Sequence, residues 1–302
     1  MPVSHPRDEL LRKRLNRFTR MLPGVGKGDA RAVHRTRVAS RRLRELLPVL
    51  QLDGGVAAEL GRRLRKVTER LGRARELDVL LTLLDELQQS GRYDQDTLAL
   101  VASAISQERA AARKRLLAKL PVTELRRLAS KLDRIADEPL DRPPEADRTA
   151  AARAWRWAVG ARIGRRARAL KAAIDEAGAV YLPDRLHAVR LAVKKFRYAV
   201  ELEREIARDE KLTPHLRTLK RNQALLGRLH DRHVLIDRVR QLQASSAPPD
   251  LGVWRRLDAL LAALEDECRR LHGRYLRESA ALLSVCDRIP GRPPAASSRR
   301  AG

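Results

Sequence analysis

The sequence predicts an all-α protein whose two halves are related by internal duplication. Residues typical of helices, mainly Leu, Ala, Arg and Glu, recur with helical spacing along nearly all of the 302 residues. Strand-like alternation of β-branched residues is nowhere sustained. Two blocks of sequence also repeat in the same order, which indicates a duplicated unit.

Turn signals divide the helical pattern into predicted elements. In the first half, helices are predicted at about 7–22, 29–52, 56–71, from 78 onward, 96–120 and 122–137. In the second half they are predicted at 149–177, 184–209, 213–227, 231–244 and 250–288. The Pro-rich segment 138–145 is the predicted linker, so the halves are 1–147 and 148–289, and the tail 290–302 is predicted to be disordered.

The charge of the chain indicates an anionic partner. Lys and Arg number 64 against 38 Asp and Glu, a formal net charge of +26. Like charges repel in a compact protein, and a large anionic partner would reduce this repulsion. The candidates are nucleic acid, an anionic membrane surface and polyphosphate. With only two Phe, three Trp and four Tyr, few rings are present to stack on bases. This favours an anion without bases, although phosphate contacts alone can hold double-stranded DNA.

The repeated blocks carry most of the functional signal. The first reads H-x-x-R-x-x-x-(R/K)-(R/K)-x-R from His34 to Arg44 and again from His187 to Arg197, an offset of 153 residues (34 to 187). The second pairs Arg65 with Lys220 and extends through an L-G-R triplet in each half, at an offset of 155 residues (65 to 220).

The spacing of the first block places its cations on one side of a helix. At about 100° per residue, the first and last cation and those between them fall within an arc of roughly 80°. These residues are His34, Arg37, Arg41 and Arg44 in the first half, and His187, Arg190, Lys194 and Arg197 in the second. Leu43, Leu46, Leu47 and Leu50 lie on the opposite, core-facing side. The block itself has no acid at i,i+4 to neutralise the row.

A solvated helix face is the usual explanation for such a row, but recurrence with the same spacing and with a His in the same place favours a ligand. If the halves pack about a pseudo-twofold axis, the two rows would face each other across one seam and form a basic groove. A linear polyanion in that groove would neutralise the cations and release its counterions.

These residues also resemble a known family. The stretches VHRTRVASRRLRELL, LGRARELDVLL, LHAVRLAVKKFRYAVEL and LGRLHDRHVLI, in this order, are similar to those of the CHAD family, the conserved histidine α-helical domain. The resemblance spans about residues 5–288. It implies two four-helix bundles of long antiparallel helices related by a pseudo-twofold axis, inorganic polyphosphate bound in a central basic groove, and association with polyphosphate granules and their proteins.

The resemblance also implies the contacting residues. Those expected to contact polyphosphate are His34, Arg37, Arg41, Arg42, Arg44, His187, Arg190, Lys194, Lys195 and Arg197. A second tier comprises Lys66, Arg75, Tyr198, Lys220 and Arg221, of which Tyr198 is equally well explained by packing.

We expect a binding protein rather than an enzyme, with no catalytic residue, cofactor or metal. The sequence has no P-loop and no G-x-S-x-G motif, and the two repeated histidines lie among cations, which disfavour a metal ion. Nonspecific nucleic-acid binding and a phosphotransfer or phosphohydrolase activity of the paired histidines are the alternatives. Two cysteines outside any C-x-x-C pair, and no long apolar segment, predict a cytoplasmic protein without membrane contact.

Overall fold

A computed structural model describes residues 6–50, 52–119, 122–137, 145–245 and 250–289 of the chain. These residues form α-helices and two single 3₁₀ turns, and no strand occurs among them. The helices are α1 Pro6–Thr19, α2 Leu22–Gly26, α3 Ala30–Leu46, α4 Gly54–Gln89, α5 Gln95–Lys119, α6 Val122–Asp137, α7 Glu145–Ala177, α8 Pro183–Ala207, α9 Thr213–Ser245 and α10 Leu251–Arg288. The predicted all-α class is confirmed.

Two predicted helix ends are wrong, because α4 runs through Gly72 and α9 runs through Gly227 without a break. A glycine inside a helix costs about 1 kcal/mol relative to alanine. Tertiary packing outweighs this cost here, since Leu71 and Leu226, the residues just before the two glycines, are 0% and 1% exposed.

The predicted break after the first helix is itself partly helical. Residues Leu22–Gly26 form α2, whose Leu22 and Val25 are buried. A Cβ added to Gly24 would lie 2.6 Å from the Cβ of Ala32, so the glycine permits α2 to lie directly against α3. Gly28 has a φ of 70°. The chain then enters α3 at Asp29, whose carboxylate accepts a hydrogen bond of 2.6 Å from the Ala32 amide as an N-cap.

The described residues divide into two compact units that differ from the predicted halves. Unit 1 takes its residues from 1–140 and 228–272, and unit 2 from 141–227 and 273–302. The first change of unit lies near the predicted boundary at 147. Two further changes fall inside continuous helices, one in α9 at the predicted helix end after Gly227 and one in α10 after His272. The predicted tail and all of the predicted linker except Glu145 lie outside the described residues.

Unit 1 has its core beneath α3. This helix packs against α1, α2 and α4, while α4 also packs against α5. The predicted core leucines are confirmed, because Leu43, Leu46, Leu47 and Leu50 are at most 2% exposed. The late segment 228–272 is joined to the early one by polar contacts as well, since the hydroxyl of Tyr93 donates to Glu267 at 2.8 Å.

Unit 2 is built around the pair α7 and α8. Trp155 on α7 and Phe196 on α8 are 4% and 0% exposed. The end of α10 is attached to this unit by ion pairs from Arg221 to Glu278, at 3.0 Å, and from Lys171 to Asp287. The internal duplication itself stays a prediction.

Over the described ranges, each helix is too short or too polar to cross a bilayer. The two cysteines, Cys268 and Cys286, are buried, and neither forms a disulfide within the described ranges.

Candidate functional site

The α3 row, His34, Arg37, Arg41 and Arg44, lies on the side of α3 away from its buried leucines, as predicted. In this row His34 is exposed, and the three arginines are partly exposed. Within the part of the chain that the structure describes, neither Arg41 nor Arg44 makes an ion pair. Burial and the neighbouring Arg65 and Arg41 lower the pKa of Arg44, whereas Glu45 and Glu69 act in the opposite direction.

Helix α4 adds cations to this surface. Arg75, from the second tier, exerts the largest charge effect on His34, ahead of Arg37 and Arg41. Arg65 acts on Arg44 in the same way. Arg65 and Arg75 share one face of α4 with Thr68 and Gly72, because these four positions fall within roughly 80° at helical spacing.

Arg65 is a residue that sequence reasoning missed. Its neighbour Lys66 was expected at the site, but it points about 100° away from the face that carries Arg65. The signal that could have found Arg65 is its spacing of ten residues from Arg75, which places both on that face.

Arg37 is held in place by α4. Its Nε donates to the backbone carbonyl of Thr68 at 3.3 Å. The guanidinium lies over Gly72, where an added Cβ would be 3.7 Å from Nη2. Nearby, the hydroxyls of Ser40 and Thr68 lie 2.8 Å apart in the buried α3–α4 contact. These two contacts fasten α3 to α4 through a backbone carbonyl and a pair of hydroxyls, and neither of them involves an acidic side chain.

The two repeated histidines share an electrostatic environment. Burial, followed by nearby cations, lowers the pKa of His34 and of His187. For His34 the cations are Arg75, Arg37, Arg41 and Arg35, and for His187 they are Arg190 and Lys194, opposed by Asp184. Both imidazoles are therefore mainly neutral near pH 7 and are positioned to take up a proton when an anion arrives.

The α8 row, His187, Arg190, Lys194 and Arg197, is less uniform. Its first three members are partly exposed, and Lys195 beside them is exposed. Arg197 is only 9% exposed. Its Nε donates to Gln223 Oε1 at 2.7 Å, and its Nη1 is paired with Glu201. Arg197 therefore joins α8 to α9 inside unit 2, which argues against the ligand contact expected of it.

Two further sequence expectations change with Arg197. Glu201 lies four residues after it on the same helix face, so this row does have an i,i+4 acid just beyond the repeated block. Tyr198 is 6% exposed, and the Arg197 guanidinium carbon lies 4.5 Å from its ring centroid. The packing interpretation of Tyr198 accounts for this placement.

The second-tier residues of α9 also have different surroundings. Lys220 is exposed. Arg221 is exposed too, but its Nε donates to Glu278 at 3.0 Å, so it is directed toward α10 within unit 2.

A basic cavity of about 440 Å³ lies between α1 and α3, beside the α3 row. The polar side chains that the described residues contribute to its lining are arginines and one imidazole, from Arg14, Arg17, Arg20, His34, Arg35 and Arg42. Met21, Val38 and Ala39 form its apolar part. Arg42, expected at the site, is thus turned toward the cavity. Arg17, Arg20 and Arg35 were missed, because no pattern separates them from the many other arginines.

Among the described residues, no group of three or more His, Cys, Asp or Glu side chains could hold a metal ion. After the second L-G-R triplet, His233 Nε2 and Asp237 Oδ2 lie 3.8 Å apart.

The chain is similar to a known protein family and to solved structures. The family model described as "CHAD domain" matches residues 9–240. Among solved structures, the CHAD domain from the plant Ricinus communis is 22% identical, with a TM-score of 0.55, covering 95% of this chain and 90% of that one. PptA from Streptomyces chartreusis is 19% identical, with a TM-score of 0.59, covering 96% and 99%.

These two structures show that the helical fold is shared. A search of curated proteins gives no significant match. The family match extends over both repeated histidine blocks and most of the remaining helices, and the chain therefore belongs to the CHAD domain family.

Proposed function

We propose that this protein binds inorganic polyphosphate through the α3 row and the cations that α4 places beside it. The observation that carries the proposal is that Arg41, Arg44, Arg65 and Arg75 share this surface, and none of them is ion-paired to another described residue. Such a surface is unfavourable without an anion. Membership of the CHAD family supports polyphosphate as that anion.

The chemistry of the row suits a chain of phosphates. Each guanidinium offers parallel N–H donors that match two phosphate oxygens, and a bound polyanion releases condensed counterions. His34 supplies a directional hydrogen bond and accepts a proton as negative charge approaches. Nucleic acid is the weaker candidate because no aromatic side chain belongs to the α3 row, so bases would have nothing to stack on.

The α8 row is the second part of the proposal. His187, Arg190, Lys194 and Lys195 would contact the same ligand, while Arg197 maintains the helix pair. That both rows line one groove stays a prediction, as does association with polyphosphate granules. Distances between spin labels at Arg35 and Ala188, measured with and without ligand, test the shared groove, because a common ligand should narrow the distance distribution.

Titration with polyphosphates of increasing length tests the binding proposal. The test variant is R41Q/R44Q/K194Q/K195Q, and the charge-matched control is R126Q/R127Q/R255Q/R274Q, which changes exposed arginines outside both rows. We expect the test variant to bind more than about 100-fold more weakly, since four phosphate contacts are removed. Equal weakening in the control would mean that net charge alone attracts the polymer.

Two further assays separate this proposal from its rivals. At fixed salt, polyphosphate should displace DNA far more readily than DNA displaces polyphosphate, and the reverse order would favour a nucleic-acid-binding protein. Incubation with polyphosphate and Mg²⁺ should release no phosphate. Release that is lost in an H34N/H187N variant would instead indicate a phosphohydrolase.

A further inference from the structure

The cavity between α1 and α3 differs from the α3 row in shape and in the helices that build it. Arg14 and Arg17 are three residues apart on α1, whereas Met21 lies in the turn after that helix. On α3, Arg35, Val38 and Arg42 follow one another at i, i+3 and i+7. These spacings place each set on one helix face, and α1 and α3 pack against each other. Along α3 this face is centred about 110° from the arc of the α3 row.

The base of the cavity is fixed. Arg14 is 4% exposed, and its Nη1 donates to the backbone carbonyl of Arg42 at 2.8 Å. This buried guanidinium links α1 to α3. The cationic wall is therefore held on two packed helices rather than on a mobile loop, which lowers the cost of ordering it around a ligand.

The lining favours an anion of limited size. Among the described residues no Asp or Glu lines the cavity, and its Arg17, Arg20 and Arg35 make no ion pair to any of them. Small-molecule sites commonly have volumes of about 300–1,000 Å³. The 440 Å³ cavity lies in that range and is far too small for a long polymer. Met21 and Val38 add an apolar wall that a bare row of cations lacks.

We propose that this cavity is a separate binding site for a compact anion that carries a triphosphate group. Guanidiniums from α1 and α3 donate hydrogen bonds to the phosphoryl oxygens from two sides. The apolar wall contacts the organic group of the ligand, if the ligand has one. A free inorganic triphosphate and an organic triphosphate ester share this chemistry.

The cavity also borders the proposed polyphosphate site, because His34 belongs to both. If the proposed function holds, a triphosphate in the cavity places negative charge beside the α3 row and lowers its affinity for long chains. This linkage rests on the proposed function, whereas the existence of the cavity site does not.

Two variants test the cavity in the full-length protein. R17Q/R35Q removes two unpaired cations from its wall, with R126Q/R127Q as the charge-matched control on α6. V38F leaves every charge in place and fills the cavity with a larger side chain. Calorimetric titrations use inorganic tripolyphosphate and ATP as the two probes, with a long polyphosphate as the third ligand, and thermal unfolding checks that each variant is folded.

We expect R17Q/R35Q and V38F each to weaken tripolyphosphate or ATP binding by about 10- to 100-fold, and the control to change it by less than about threefold. Whichever probe binds more tightly identifies the inorganic or the organic source. Long-chain affinity should change by less than about threefold in V38F, since the row remains.

Unchanged binding of both probes in R17Q/R35Q and V38F would overturn the cavity site. Equal loss of long-chain binding in V38F would also overturn it as a separate site, because the cavity would then be part of the polymer's path. Failure of the proposed function is recognised differently, as long-chain binding that does not respond to R41Q/R44Q/K194Q/K195Q.

Discussion

The α3 row and the α8 row repeat the same spacing, but their last cations are in different surroundings. Arg44 is partly exposed and has no ion-pair partner among the described residues. Its counterpart Arg197 is 9% exposed and is engaged by Glu201 and Gln223. Thr68 and Gln223 are also counterparts, at the offset of 155 residues that relates the second pair of blocks (68 to 223). The side chain of Thr68, however, is contacted by Ser40 and not by the last arginine of the row.

This difference shows how one residue pattern can serve two purposes. The α3–α4 pair is fastened by hydroxyls and by the Arg37 contact to a backbone carbonyl, so its row keeps cations available for a ligand. The α8–α9 pair is fastened by Arg197, a member of the row whose charge is already paired with Glu201. We infer that unit 1 contributes more of the binding free energy, and unit 2 uses part of its charge for stability.

Replacing the last cation of each row should distinguish a role in ligand binding from a role in stability most clearly. We expect R197A to lower the free energy of unfolding by about 2–3 kcal/mol, because it removes one partner of a largely buried ion pair. R44A should change it by less than about 1 kcal/mol. Urea denaturation of both variants measures this. A polyphosphate affinity that falls more in folded R197A than in R44A would reverse the assignment.

Neutralising two cations of the α3 row, or Lys194 and the neighbouring Lys195 on α8, tests which unit binds more strongly. We expect R41Q/R44Q to weaken polyphosphate binding about 30-fold and K194Q/K195Q about 10-fold, since arginine makes bidentate phosphate contacts and lysine acts as a point charge. Each pair should reduce the slope of log affinity against log salt concentration by about 2. Titrations at several salt concentrations provide both quantities, and equal losses would remove the proposed asymmetry.

The glycines inside α4 and α9 provide a smaller contrast. G227A should stabilise the protein by up to about 1 kcal/mol, because no atom lies within 4 Å of the added Cβ. G72A should stabilise it less, since its Cβ meets Arg37 Nη2 at 3.7 Å. Substituting leucine at the same two positions separates them further. G72L should displace Arg37 and weaken polyphosphate binding, whereas G227L should leave Arg37 undisturbed. Thermal unfolding and titration of the four variants check this.

Acidification should produce the smallest effect. The pKa values of His34 and His187 are lowered in the free protein, and bound phosphate would raise them, so binding takes up protons. Affinity should therefore increase as pH falls from about 7.5 to 6, by less than about tenfold. Calorimetry in buffers of different ionisation enthalpy measures the uptake. The same affinity across this range, or an unchanged slope in H34N/H187N, would contradict this role.

The stability of the unliganded protein should respond to pH in the opposite direction. Because the folded pKa of each histidine lies below its unfolded value of about 6.5, the unfolded state binds protons first. The contribution of His34 and His187 to the free energy of unfolding is therefore present above pH 6.5 and is lost as the pH falls below this value.

Much of this organisation could be predicted from the sequence, because helical periodicity reports which face of each helix is apolar. The leucines from Leu43 to Leu50 and the first row were placed on the correct faces of α3 for this reason. Gly72 and Gly227 were misjudged as helix ends because a local propensity of about 1 kcal/mol cannot reveal the packing that overrides it. Of the α4 face with Arg65 and Arg75, the sequence-based prediction includes Arg75 but has Lys66 in place of the neighbouring Arg65.

The partners of Arg197 could be predicted only in part. Glu201 stands at i+4 and was open to inspection, but Gln223 is on another helix, and its approach depends on tertiary packing. The cavity was missed for the same reason. Its arginines come from two helices, and nothing in the spacing of Arg17 or Arg35 alone shows that they line one space.

The division of the chain between the units has a consequence for synthesis on the ribosome. Residues 228–272 complete unit 1, and Glu267 from this segment binds both Arg232 and the early residue Tyr93. Unit 1 is therefore complete only after residue 272 has emerged, when most of the polypeptide has been synthesised. During that interval the surface of the first segment that residues 228–272 later contact stays uncovered, so the nascent protein should depend on chaperones more than a chain of two consecutive domains.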